Sequence, residues 1–392
     1  MAQTAVGTTY EVGRCVGRYD RYAVAVNPDR PVLIIFYGSA GTGPAERMVA
    51  CVRQAAVRGT ARLALEGGFE AVIIATDSPA AFAGLPPGAL VDGDGEEFAF
   101  LARLKGLVGR FDLERPAVMG GGSLPLATAA DFRTAIGLST EGVVVTNNFF
   151  SSDFTLWAPG TAIDRLTDAP RDNVLPRRLR DEAGLKAAVL PRATSTRFDL
   201  DTPSDVCALA LQDDLAAELR EAIPVNGLPL DRYRAVMDVL CDPAAELVVT
   251  GRIGSTAWQY FETETACRVR VISEERGLAA AGPEHRARSV LGFLVESVGI
   301  EGFFARLMEM GDAFVIDTRV IEAHLAIAPS REDRFQSDLM NHLAIEDEFL
   351  REFTRVAAAA PKPVLLGGHS LVSGGLMALT DSAWEAHDRS GG

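Results

Sequence analysis

Short apolar runs alternate with helix-length stretches along most of this chain, and that alternation leaves few folds open. PVLIIFY (31–37), EAVIIATD (70–77), PAVMGGG (116–122) and GVVVTNN (142–148) are apolar at nearly every position rather than at every second one. A strand of that kind is buried on both faces, which points to a parallel sheet covered by helices. The segments between them read as helix: AERMVACVRQAAVRGTARLALEGG, a stretch near 95–110, and another near 128–137. AAVLPRATSTRFDLDTPSDV (187–206) then reads as a strand running into a helix start. Thr202 offers a capping hydroxyl, Pro203 suits the first turn, and Asp205 lies near the positive end.

The rhythm breaks at EAIPVNGLPLDRYRAV (221–236), which holds two prolines and a glycine. We place the boundary there, with a first domain over 1–222 and a second over 228–386. The second half repeats the alternation. ELVVTG (246–251), RVRVIS (268–273), DAFVIDT (312–318) and PVLLGG (363–368) read as strands. Helices are expected near 256–265, 285–310, 331–343 and 346–359, and the terminal AHDRSGG is expected to fray. The fold class is α/β: a doubly wound, mostly parallel sheet with a second, smaller α/β domain.

Composition narrows the function. Apolar residues make up 48% and charged residues 23% of the 392, which excludes a disordered, collagen-like or coiled-coil chain. A net charge of −15 repels phosphate backbones, so no nucleic-acid partner is expected. No apolar run approaches the roughly 18 residues of a membrane span, and the first fifteen residues hold no apolar signal segment, so neither a membrane nor export is expected. The cysteines at 15, 51, 207, 241 and 267 show no CxxC spacing. They suit reduced thiols in a cytoplasm. Only Lys105, Lys186 and Lys362 are lysines, so any phosphate contact falls to arginine or to backbone N–H groups.

Three segments carry candidate chemistry. The turn Gly38, Ser39, Ala40, Gly41, Thr42, Gly43 follows the first strand and precedes a helix. It is either a phosphate cradle or a plain strand-to-helix turn, and it matches neither GxxxxGK[ST] nor GxGxxG. Gly120, Gly121, Gly122 and Ser123 end another strand and bring backbone close to a ligand or to a neighbouring segment. Asp199 and Asp201 share one face of an extended segment, where two carboxylates suit Mg²⁺, unless Asp201 only caps the following helix.

Their order resembles the nucleotidyltransferases of the molybdenum-cofactor guanylyltransferase and phospholactate guanylyltransferase kind, over about residues 30–215. The residues that carry the resemblance are the Gly-rich turn, the strand ending in Ala75-Thr76-Asp77, Gly121-Gly122-Ser123-Leu124-Pro125-Leu126, and Asp199-Leu200-Asp201-Thr202-Pro203-Ser204-Asp205. The resemblance implies a nucleotide-diphospho-sugar transferase-like fold. It implies an NTP over the turn, Mg²⁺ at Asp199 and Asp201, and attack by a small-molecule acceptor on the α-phosphorus. On that reading Arg47, Arg53 and Asp201 act in catalysis, and Asp77 joins the glycines and Ser123 in binding nucleotide. The chain departs from the family in two places. Ser123 stands where the family carries Asp, and no lysine follows Gly43, so Arg47 is joined by Arg53 or Arg58. The departures leave an active enzyme with relocated ligands, for instance Asp77 or Asp94 with Asp201, or a domain that binds ligand without chemistry.

Thr146–Asp153 is read as a polar surface loop or an acceptor contact, and Arg177, Arg178 and Arg180 as a solvated helix face or a phosphate clamp. In the second half, Gly251–Thr256 with Arg252, Ser273–Gly277, Asp317-Thr318-Arg319 and Gly367–Ser370 follow strands. If the strands are parallel these loops share an edge, and Arg252 is expected to hold an anion there. His369 is read as a helix-opening residue. Otherwise the second domain is a structural or dimerising module, so a homodimer stays open.

Overall fold

A computed structural model describes residues 27, 29–38, 41–93, 98–167, 171–278, 282 and 284–391. The first sheet opens with β1 (Val32–Tyr37), α1 (Pro44–Glu66), β2 (Ala71–Thr76), β3 (Ala89–Gly93), α2 (Phe100–Arg110), β4 (Pro116–Gly120) and α3 (Ala129–Leu138). It continues with β5 (Val143–Thr146), β6 (Phe154–Ala158), α4 (Leu175–Ala183) and β7 (Lys186–Val189), followed by α5 (Pro203–Leu209) and α6 (Ala217–Ala222). The strand order is β3-β2-β1-β4-β6-β5-β7, parallel except for β6. Every residue of β2 is buried, and all but Phe36 of β1, as continuous apolar runs require.

Two strands are additions to the sequence reading. β3 is short and half-buried at the sheet edge. β6 returns directly from β5 and pairs with it antiparallel, Thr146 opposite Thr155 and Val143 opposite Ala158. A strand that doubles straight back needs only a short connection, whereas a parallel neighbour needs a crossover.

The second sheet is built from α7 (Leu230–Leu240), β8 (Glu246–Gly251), α8 (Ser255–Glu264), β9 (Arg268–Ser273), α9 (Val290–Met308), β10 (Ala313–Asp317) and α10 (Thr318–His324). It closes with α11 (Arg331–Asp338), α12 (Glu348–Ala359), β11 (Val364–Gly367) and α13 (Leu376–Gly391). Its order is β11-β10-β8-β9 and all three pairings are parallel. The helix expected over 285–310 starts at Val290, capped by Ser289, and is kinked at Gly299, whose φ of 70° breaks the helical run. α10 was not expected. The terminus continues as helix to Gly391, where fraying was expected. No helix among the described residues is long and apolar enough to cross a membrane.

The sheets meet through one apolar core. α1 contributes Ala45, Val49, Val52 and Ala56, and the segment after β7 contributes Phe198, Leu200 and Val206. Leu247 and Val249 of β8, Val315 of β10 and Leu365 of β11 pack into the same cluster. α6 ends at Ala222 and α7 begins at Leu230, so the chain passes between the sheets over residues 223–229.

Candidate functional site

β1 ends beside the Gly-rich turn, and β4 ends at Gly120, at the same edge of the sheet. Gly121 donates its N–H to the Phe36 carbonyl at 2.8 Å. A Cβ on Gly121 would stand 2.8 Å from the Tyr37 ring, so only glycine lets the two loops lie this close. Gly122 is hemmed in further. A Cβ there would stand 2.5 Å from the Leu200 carbonyl oxygen and 3.1 Å from Arg53 Nε. Both glycines thus serve close approach of backbone, and the neighbour is the chain itself.

The approach joins the two motifs. Leu124 donates to the Phe198 carbonyl at 3.1 Å and Leu200 to the Gly122 carbonyl at 2.8 Å, so Ser123 and Asp199 face each other as an antiparallel bridge. Leu124 takes a φ of 50° to make that turn. Arg53, from α1, sits against this junction. Its Nε is buried without a hydrogen-bond partner among the described residues, and its guanidinium lies 5.9 Å from the Tyr37 ring centre.

DLDTPSD divides its labour. Thr202 caps α5 and Pro203 opens it. Asp205 Oδ2 accepts from the N–H groups of Asp201 (2.9 Å) and Thr202 (2.8 Å), from Thr202 Oγ1 (2.9 Å) and from Ser370 Oγ (2.8 Å). The helix is therefore capped by Thr202 and Asp205, and Asp201 keeps an exposed side chain at the strand end. Asp199 carries a buried Oδ1 with no hydrogen-bond partner among the described residues.

Two further carboxylates belong to this cluster. Asp153 is held by Asn147 Nδ2 at 2.9 Å, and Asp172 opens the turn before α4. Burial, then Asp172 and Asp201, push the Asp153 carboxyl up to about 7. Burial and then Asp201 push Asp205 to about 7. Asp199 is raised well above the ordinary range by burial first and by Asp153 next, and Asp172 is raised by burial. Crowded carboxylates out of water favour the proton or a cation. Asp172 had no signal in the sequence, since it lies in an irregular turn far from both motifs. Asp153 lay in a segment read as a polar surface loop or an acceptor contact, and Thr146, Asn147 and Ser152 are buried and hydrogen-bonded there.

The other expected residues are placed as follows. Gly38, Gly41, Thr42 and Gly43 form the turn into α1, while Ser39, Ala40 and Asp94 lie outside the described residues. Arg47 donates to the Thr42 carbonyl, and Arg58 to that of Ala81. Asp77 is exposed just past β2, on the side of Tyr37, whose phenol it helps to raise after burial. Arg178 pairs with Glu182, and Arg180 with Asp181 and the Phe149 ring, as on a solvated helix face.

The amino end of α1 is occupied. Gly43 donates to Glu46 Oε2 at 2.9 Å, and Ala45 and Glu46 donate to the two Glu332 carboxylate oxygens at 3.1 Å each. Glu332 comes from α11, in the second half of the chain.

The parallel second sheet does bring Gly251, Asp317 and Gly367 to one edge. That edge abuts the acidic segment: a Cβ on Gly367 would stand 2.5 Å from Ser204 Oγ. Arg252, expected to hold an anion, instead donates from Nε and Nη2 to Asp317 at 2.6 and 3.0 Å. Arg319 likewise forms two 2.7 Å bonds with buried Asp338. Both cations are neutralised within the protein, so the edge lacks the free charge that reading required. His369 is exposed at this seam. The protein around it and then Arg252 lower its pKa, while Asp201 acts in the opposite sense.

The donor set suits a hard cation. Among the described residues, however, no three acidic, imidazole or thiol groups stand close enough to hold a metal by themselves. Mg²⁺ commonly takes one or two protein carboxylates and completes its shell with substrate phosphate and water, and Asp199 with its unpartnered oxygen and Asp201 fit that lesser demand.

No family model matches the chain, and no curated protein matches it. Among solved structures, a nucleotidyl transferase from Methanothermobacter thermautotroptrophicus is 15% identical, with a TM-score of 0.36, over 48% of this chain and 98% of that one. A cytidylyltransferase from Leptospira borgpetersenii serovar Hardjo-bovis is also 15% identical with a TM-score of 0.36, over 50% of this chain and 95% of its own.

Proposed function

We propose that this protein moves a nucleotidyl group from an NTP to a small phosphorylated or hydroxylated acceptor. The observation that carries the reading is the bridge between Ser123 and Asp199, which sets GGGSLPL and DLDTPSD side by side at the carboxyl edge of the first sheet. Arg53, half-buried against both loops and with its Nε unpartnered among the described residues, supplies the positive charge for phosphate on this reading. The turn at 38–43 binds the triphosphate through backbone N–H groups, and Arg47 adds charge at its rim. Asp199 and Asp201 hold Mg²⁺, whose chemistry here is to neutralise charge on the phosphates. The acceptor oxygen attacks the α-phosphorus, and pyrophosphate leaves.

Ser123 in place of the family's Asp favours a second reading, a noncatalytic nucleotide-binding protein on the same fold. One screen separates them. Melting of the full chain is followed with ATP, GTP, CTP and UTP, with and without Mg²⁺. A bound nucleotide raises stability by about RT ln(1 + [L]/Kd). The enzyme reading expects one nucleotide to stabilise in the presence of Mg²⁺ and to release pyrophosphate once a pool of small phosphorylated acceptors is added. Stabilisation with no release from any pool supports the binding protein, and no stabilisation by any NTP removes both.

A further inference from the structure

Two N–H groups at the start of α1 are already met by a carboxylate from elsewhere in the chain. Gly43 precedes α1, and the free N–H groups of the first turn carry the positive end of the helix. Glu332 lies across them, one carboxylate oxygen on Ala45 N–H and the other on Glu46 N–H. The fit is close. A Cβ on Gly43 would stand 2.0 Å from Glu332 Oε2, so glycine is what admits the carboxylate. Gln336 Nε2 holds Glu332 Oε1 at 2.6 Å from one turn along α11. Glu46 turns back onto Gly43 N–H, so the donors of Gly43, Ala45 and Glu46 all face carboxylate.

Resting on the nucleotide-binding reading above, we propose that Glu332 is a built-in competitor of the substrate's phosphates: an autoinhibitory contact through which the second half of the chain holds the site shut. A carboxylate and a phosphate oxygen ask for the same two N–H donors, and both cannot have them. Phosphate binding therefore releases α11 from α1, and the grip of α11 on α1 weakens phosphate binding by the same factor.

The test is titration calorimetry on the full chain with inorganic tripolyphosphate, which needs no choice of base, followed by the four NTPs with Mg²⁺. Wild type, Glu332→Gln, Glu332→Ala and Gln336→Ala are compared. Tripolyphosphate is expected to bind Glu332→Ala more tightly than wild type by on the order of tenfold, in line with a charge removed from a helix amino end. Glu332→Gln, which keeps an acceptor oxygen but loses the charge, falls between them. Gln336→Ala, which frees Glu332 without deleting it, gives a smaller gain. If Glu332→Ala does not fold, Glu332→Gln and Gln336→Ala carry the same comparison. Equal affinity in wild type and every folded variant would make Glu332 a plain helix cap and overturn the proposal. Tighter tripolyphosphate binding in the variants with no binding of any NTP keeps the contact and removes the nucleotidyl-transfer reading.

Discussion

Asp201 is the residue where sequence and geometry give the cleanest separation of chemistry from stability. Because Thr202 and Asp205 cap α5, removing the Asp201 charge leaves the helix start intact. Asp201→Asn is expected to abolish Mg²⁺-dependent transfer while shifting stability by less than about 0.5 kcal/mol, as for an exposed substitution. Turnover and melting temperature, measured together, decide it. Ser123→Asp adds a carboxylate opposite Asp199 and near Asp172. It should lower stability without metal and tighten Mg²⁺ binding; a metal affinity equal to wild type would show that no vacant ligand position exists there. The pH response follows from Asp153 and Asp205, both raised to about 7 by burial. A carboxyl raised on folding contributes stability that is complete below its unfolded pKa of about 4 and is lost as pH rises through about 7. Melting temperature should therefore fall between pH 5 and pH 8, and Asp153→Asn should flatten that fall. A profile unchanged in the variant would mean that Asp153 does not titrate in this range.

At the level of elements, the glycines at the carboxyl edge differ in kind. Gly122 has no room for a Cβ beside the Leu200 carbonyl, whereas a Cβ on Gly38 would meet nothing within 4 Å among the described residues. Gly122→Ala is expected to cost about 1–3 kcal/mol by overpacking and to push the two motifs apart. Gly38→Ala should be nearly neutral. Chemical denaturation of the two variants side by side checks the contrast. The same segments show what a sequence can announce. β1, β2, β4 and the strands of the second sheet are legible because continuous burial leaves an apolar run. β6 was hidden because it is entered from a polar loop, TNNFFSSD, whose buried hydrogen bonds look like surface chemistry when read alone. Ser123 and Asp199 could be singled out by motif, but their meeting depends on a β4 loop and a post-β7 segment nearly eighty residues apart. Asp172 and Glu332 could not be found at all. Each acts through a position in space that no local pattern encodes, and Arg252 was misread for the same reason, its partner Asp317 lying on another strand.

For the molecule as a whole, the shared core decides how it unfolds. Leu247, Val249, Val315 and Leu365 pack in the same cluster as Val49, Val52, Phe198 and Leu200. A fragment of about residues 228–386 would expose that face to water. It is expected not to fold by itself. Scanning calorimetry of the full chain should give one cooperative transition; two separated transitions would show two independent cores. The seven residues that lead from α6 to α7 then hold a different status from an ordinary interdomain linker. Cutting the backbone there would sever the polypeptide and leave the particle in one piece, held by noncovalent contacts alone. A protease nick in that turn would be visible on a denaturing gel and invisible by size-exclusion chromatography, and neither half could be traded for a foreign domain without redesigning the surface it buries.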